Sequence, residues 1–183
     1  NEMILKWIEK RIEKKAFERS LRDTSFFSKY VRPRLYSRAN GDPEKVHEMA
    51  LEALLEYEDI VAEVGAKQDF SGLTFSWNGK HIPIFGTAAG LDKNCDVVGP
   101  LSHLFGFQEV GTIVVNQREG NNRPRVARDD ANWNLYNAQG FPSKGLKYAK
   151  GKLQDYRSNR GNGFILASIC GIPPNEDGLD VAF

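Results

Sequence analysis

The stretch Ile82-Pro-Ile-Phe-Gly-Thr-Ala-Ala-Gly-Leu-Asp-Lys93 decides the fold of this chain. Its apolar start predicts a strand running from Ile82 to Gly90, and that strand ends in residues with almost no side chain. Small residues at a strand end let a flat ligand approach the backbone, whose free N–H groups can bind its polar edge. Lys93 sets a cation beside that platform. The plainer alternative for the same cluster is a tight strand-to-helix turn.

Upstream, Leu73–Trp77 and His81–Phe85 flank Asn78-Gly79, a hairpin signal because both turn positions take positive φ. Downstream, the pattern predicts a helix over 97–105, a strand over 107–115, a polar loop over 116–134, a helix over 144–158 and a strand over 163–171 before Pro173-Pro174. Strands alternating with helices point to a parallel β/α architecture. Two helices are expected ahead of the hairpin. The first covers 3–22, with Ile4, Leu5, Ile8 and Ile12 on one face, Trp7 and Phe17 nearby, and lysines and arginines elsewhere. The second runs through 46–64, opened by Asp42 as N-cap and Pro43 at the first helical position. Between them lies an aromatic, basic run broken at Pro33. The chain therefore divides into a helical segment, 1–66, and a β/α body, 67–183.

With 40% hydrophobic and 27% charged residues, the composition is globular and excludes disordered or collagen-like sequence. No window approaches the roughly 18 apolar residues of a spanning helix. The net charge is +1, but residues 1–38 hold a strong basic excess. A basic amphipathic helix suits an anionic membrane interface, and the alternative is a surface helix packed on its own domain. No nucleic-acid-binding pattern is present. Cys95 and Cys170 lie far apart without CxxC or metal-ligand spacing, so no metal is expected and both read as small buried hydrophobes. A complete eight-stranded barrel takes about 250 residues. The 183 residues with some two and a half β/α units are therefore expected to be the first part of a barrel, incomplete in this chain.

The series AAGLDKN (88–94), FGFQEVGT (105–112), EGNNRPRVAR (119–128) and NAQGF (137–141) resembles the dihydroorotate dehydrogenases in order, spacing and identity. DPEKVHE (42–48) is similar to the corresponding helix of the membrane-associated, quinone-using class 2 enzymes. The resemblance implies a TIM barrel binding FMN at the C-terminal mouth of its strands, on Ala88, Ala89, Gly90, Lys93, Thr112 and Ser168. It implies that Lys93, Asn137, Gly140 and Phe141 hold dihydroorotate or orotate, and that His47 and Arg128 line the path of the quinone. It further implies a pyrimidine-biosynthetic flavoprotein oxidoreductase held peripherally, through its N-terminal helices, on the cytoplasmic face of a bacterial inner membrane or on the mitochondrial inner membrane. The catalytic base, a serine or cysteine on a later loop, is expected beyond residue 183, so the 183 residues alone are expected to lack turnover.

The chain departs from the family pattern at several points. Asn137-Ala-Gln-Gly-Phe-Pro-Ser143 stands where the family reads NRMGFNN or NRYGFNS, and Ser168 stands where an asparagine contacts flavin. Ala127 replaces a phenylalanine, and IVVNQREG replaces VTPRPQPG. These changes keep open a related flavin oxidoreductase acting on another substrate. The basic segment alone is also compatible with a non-enzymatic membrane-binding helical module.

Overall fold

The computed structural model describes residues 2–69, 72–159 and 163–171, with side chains from Glu9 onward. The expectations for the side chains of Ile4, Leu5, Trp7 and Ile8, and for Pro173-Pro174, lie outside the described residues. Helix α1 (Glu2–Arg22) is continuous. Its later turns pack Phe17 and Leu21 against Tyr57, Ile60 and Val64. Ion pairs Lys10–Glu56 at 2.8 Å and Lys14–Asp59 at 3.0 Å accompany that contact. Both are solvent-exposed and add little, so the apolar contact fixes the docking. Ile12 stays exposed.

A short helix α2 (Thr24–Phe26) leads through a π-helical turn (Phe27–Val31) into α3 (Arg32–Arg38). The break expected at Pro33 is absent. Proline sits in the first turn of α3, where its missing N–H is not needed. The single helix expected over 46–64 is two, α4 (Pro43–Glu56) and α5 (Glu58–Gly65). Tyr57 leaves the helical backbone at φ −116°, ψ 34° and sets its ring 5.1 Å from that of Phe17. Asp42 caps α4 as expected, accepting from the amides of Glu44 at 2.8 Å and Lys45 at 3.3 Å. Asp42→Ala is predicted to destabilise the protein by about 1 kcal/mol, read as a lower denaturation midpoint at unchanged slope.

Strands β1 (Thr74–Trp77) and β2 (Lys80–Pro83) form the predicted antiparallel hairpin, with Phe75 opposite Ile82. The strand expected from Ile82 to Gly90 is divided. Ile82 and Pro83 belong to the hairpin, the Ile84 amide donates to the Leu73 carbonyl at 2.9 Å, and only β3 (Gly86–Thr87) enters the parallel sheet. Pairing with β1 consumes the first half of the run before the second reaches its neighbour.

Helix α6 (Val98–Leu104) and strand β4 (Phe107–Ile113) follow. The polar segment expected to be a loop contains β5 (Val126–Asp129), which pairs antiparallel with β6 (Asn134–Asn137). Neither strand has a buried face, so no apolar alternation signals them. Their turn is closed by Asp129, whose carboxylate accepts from the Asn132 amide at 3.2 Å and side-chain Nδ2 at 2.7 Å. Helix α7 (Leu146–Ser158) and strand β7 (Phe164–Ile169) follow. The sheet order is β3-β4-β7, all parallel, and among the described residues it does not close into a barrel. Cys95, Val98, Val110, Ile113 and Ala149 form the core beneath it, joined by Leu153, Tyr156 and Ile165. Helix α5 packs on α6, and α4 lies against β5.

Candidate functional site

The C-terminal ends of the three parallel strands gather Ala88, Ala89 and Gly90 after β3, Thr112 on β4 and Ser168 on β7. The Gly90 amide donates to the Gly111 carbonyl at 2.8 Å, and the Gly111 amide to that of Asp92 at 2.9 Å. A Cβ on Gly111 (φ +109°) would stand 2.4 Å from the Ser168 carbonyl oxygen, so only glycine allows this approach of β4 to β7. Gly90 (φ +102°) is the reverse case: nothing lies within 4 Å of where its Cβ would be. The shelf is therefore open above its backbone. Beside it, the hydroxyls of Thr112 and Ser168 are 3.1 Å apart.

Asp92 shapes the loop that carries Lys93. Its buried carboxylate accepts from the amides of Asp96 at 2.8 Å, Val97 at 2.9 Å and Asn94 at 3.4 Å. Burial nonetheless pushes its pKa above the usual carboxylate value. Lys93 itself is half-buried, and its ammonium forms no hydrogen bond or ion pair among the described residues. Burial holds its pKa below that of an ordinary lysine, with Glu44 pulling the other way.

Lys93 lines a cavity of about 400 Å³ together with His47, Glu48, Arg118, Pro142 and Ser143. Two polar atoms in this wall are buried without a hydrogen-bond partner among the described residues: His47 Nε2 and Arg118 Nε. An unsatisfied buried group of this kind costs on the order of 1–3 kcal/mol, which a ligand with a matching group offsets. Burial, and then the charge of Lys93, hold the imidazole of His47 below its ordinary pKa, so it is neutral at pH 7.

One wall of the cavity rests on a pair that sequence reasoning missed. Arg125 donates to Glu44 through Nη2 at 2.7 Å and through Nε at 3.1 Å, and both side chains are only 7% exposed. Arg123 reaches the same carboxylate at 3.4 Å. The hydrogen bond from Arg125 is the largest influence holding Glu44 below the usual carboxylate range. Arg125 Nη1 also donates to the carbonyls of Glu119 at 2.5 Å and Asn121 at 2.9 Å. It thus staples α4 to the loop before β5. Both partners stood in the quoted motifs, but their separation of 81 residues carries no local signal.

The remaining expected residues are less concentrated. Asn137 ends β6 and is exposed, as is Phe141, while Gly140 (φ +69°) abuts Asn121. None of the three lines the cavity, although Pro142, Ser143 and Lys144 directly after them do. Arg128 does not share the cavity of His47. It pairs with Asp130 at 3.1 Å and lines a second cavity of about 510 Å³ with Tyr36, Asn40, Asp42 and Pro124. Cys95 is a packing residue. Burial, with Asp92 and Asp96 adding, pushes its thiol up to about 12. Cys170 is half-buried and donates to the Gly171 carbonyl at 3.2 Å. Among the described residues no helix is long and apolar enough to cross a membrane.

The model of the dihydroorotate dehydrogenase family matches residues 73–181. A dihydroorotate dehydrogenase (quinone) of Psychrobacter cryohalolentis is 38% identical over 141 residues, covering 72% of this chain and 38% of the relative. One of Rhizobium johnstonii is 35% identical over 141 residues, covering 74% and 36%. The chain thus spans little more than a third of the length of these relatives. Among solved structures, the dihydroorotate dehydrogenase of Eimeria tenella in complex with ferulenol superposes with a TM-score of 0.54 at 28% identity. That match covers 70% of this chain and 35% of the other.

Proposed function

Since the chain belongs to the dihydroorotate dehydrogenase family, we propose that it carries the cofactor- and ligand-facing part of an FMN-dependent enzyme. This enzyme oxidises dihydroorotate to orotate in pyrimidine biosynthesis and passes the electrons to a quinone. The observation that carries this reading is the half-buried Lys93, without an ion pair among the described residues, beside the open shelf of Ala88, Ala89 and Gly90. FMN, when bound there, supplies the two-electron acceptor. The shelf residues receive its flat ring, because Gly90 leaves the space above the backbone empty. Thr112 and Ser168 offer hydroxyls at its edge. Lys93 holds the anionic pyrimidine by its charge, and Asn137, Gly140 and Phe141 form the substrate-facing loop. His47, neutral and with a free Nε2, is suited to a polar group of the quinone, and Arg128 stands at the second cavity on the quinone's path.

A second reading, a related flavin oxidoreductase with a different substrate, is favoured by two observations. Pro142 lines the cavity, and the Ser168 hydroxyl is engaged by Thr112. One experiment separates the two. In the complete polypeptide carrying this sequence, stoichiometric FMN binding and anaerobic bleaching by dihydroorotate, reversed by a quinone, are expected. FMN binding without bleaching by dihydroorotate supports the second reading, and no FMN binding refutes both.

Peripheral membrane contact belongs to the same proposal and rests on the basic excess in residues 1–38 and the exposed Ile12. The complete polypeptide is expected to float with anionic liposomes. Removing residues 1–38, or adding moderate salt, should abolish or weaken flotation. Unchanged flotation after the deletion refutes this part.

A further inference from the structure

Five carboxylates and five cations line the 400 Å³ cavity, but the ion pairs among the described residues do not engage all of them. Arg125 and Arg123 are taken up by Glu44 and Glu48, with Arg123 Nη2 2.5 Å from the latter. Lys144 pairs with Asp96 at 3.0 Å. The carboxylate of Asp92 is occupied by three backbone amides. The Glu119 side chain is exposed, and among the described residues its carboxylate accepts from Gln117 at 3.4 Å. Two cations in the wall remain without a carboxylate partner among the described residues: Lys93 and Arg118. The Arg118 guanidinium forms no side-chain hydrogen bond there, and its Nε is buried.

The backbone of Arg118 is held in place. Its amide donates to the Ser143 carbonyl at 2.9 Å, and the Ser143 amide donates back at 2.9 Å. This bridge ties the loop after β4 to the segment that follows Phe141, so the Arg118 side chain enters the cavity from an anchored position. A guanidinium presents its donors as a planar fork that matches two oxygens of one oxyanion, and an ammonium adds a compact charge that needs no fixed direction. Both groups line one cavity of a size that suits a small ligand.

We propose that Arg118 is a specificity-determining residue of this cavity, receiving, together with Lys93, a compact oxyanion on the bound ligand: a carboxylate or a phosphate. The identity of the ligand rests on the function proposed above, whereas the preference for an oxyanion rests on Arg118 and Lys93 themselves. The position reads glutamine in the motif VTPRPQPG quoted earlier, so Arg118→Gln removes the charge and keeps a polar side chain.

The test is calorimetric titration of the complete, FMN-loaded polypeptide with orotate, with uracil, which lacks the carboxylate, and with inorganic phosphate. Orotate should bind at least tenfold more tightly than uracil, and Arg118→Gln should weaken orotate about tenfold while leaving uracil unchanged. Arg118→Lys, which keeps the charge but loses the fork, should fall between. It carries the test if Arg118→Gln does not fold. Orotate binding that is the same in wild type and both variants overturns the inference and leaves the proposed function standing. Phosphate binding without orotate binding, lost in Arg118→Gln, supports the inference and removes dihydroorotate as substrate. Equal losses for orotate and uracil assign Arg118 a merely structural role and overturn it. Binding of none of the three overturns both.

Discussion

Lys93→Ala should weaken orotate binding on the order of 100-fold. A hydrogen bond to a charged group contributes roughly 1.5–3 kcal/mol, and removing the ammonium leaves the carboxylate facing a partly desolvated wall. Lys93 forms no hydrogen bond or ion pair among the described residues, so the mutation breaks none there, and the melting temperature should change little. Titration calorimetry and thermal denaturation of the same variant check the two halves. A loss below threefold would show that the ammonium does not meet the ligand. The pH profile is a further check. Burial lowers the pKa of Lys93 from the ordinary 10.5, so on raising pH the ammonium deprotonates earlier than a free lysine. Orotate affinity should therefore fall on the alkaline side below 10.5 in wild type, and Lys93→Ala should lose that limb.

Arg125→Ala is expected to have the largest effect on stability. It leaves the carboxylate of Glu44 buried, with Arg123 at 3.4 Å and Gln139 at 3.3 Å as its remaining partners. It also frees the carbonyls of Glu119 and Asn121. Breaking one side of a buried pair typically costs about 3–5 kcal/mol, a fall in melting temperature on the order of 10 °C for a chain of this size. Arg125→Lys should recover only part of it, since an ammonium cannot reproduce the forked contact. The double variant Glu44→Leu/Arg125→Met should be less destabilised than either single change, because no buried charge is left alone.

The pH dependence of this pair has a definite sign. The carboxyl of Glu44 is held below its ordinary 4.5 in the folded protein. Its stabilising contribution is therefore present above the unfolded-state value and lost as pH falls through the folded one. Wild type should lose stability on acidification below about 4.5. In Arg125→Ala that acid limb should flatten, as chemical denaturation at a series of pH values would show.

Much of the architecture was legible in local chemistry. Asn78-Gly79 signalled a hairpin turn, Asp42-Pro43 signalled a helix start, and the apolar runs at 107–113 and 164–169 alternate with helices in the manner of a parallel sheet. The motifs placed Ala88, Ala89, Gly90, Thr112 and Ser168 at one end of that sheet, where they lie. The β5–β6 hairpin was not legible, because strands without a buried face carry no period-2 pattern. The split at Tyr57 was not legible either, because it depends on a ring contact with Phe17, forty residues earlier in the chain.

By itself, then, the sequence determined the family, the first hairpin and the parallel alternation of β3, α6, β4, α7 and β7, and the cation beside the glycine-ended strand. The family is carried by the order and spacing of its motifs, and the others depend on neighbours within a few residues, which backbone preference and hydrophobic period record directly. Only the tertiary structure decided that Glu44 and Arg125 share a buried bond, that His47 and Arg128 line separate cavities, and that Arg118 lines the first of them without an ion pair among the described residues. Those outcomes depend on which distant charges neutralise one another once water is excluded. That pairing is set by packing in three dimensions and leaves no trace in local spacing.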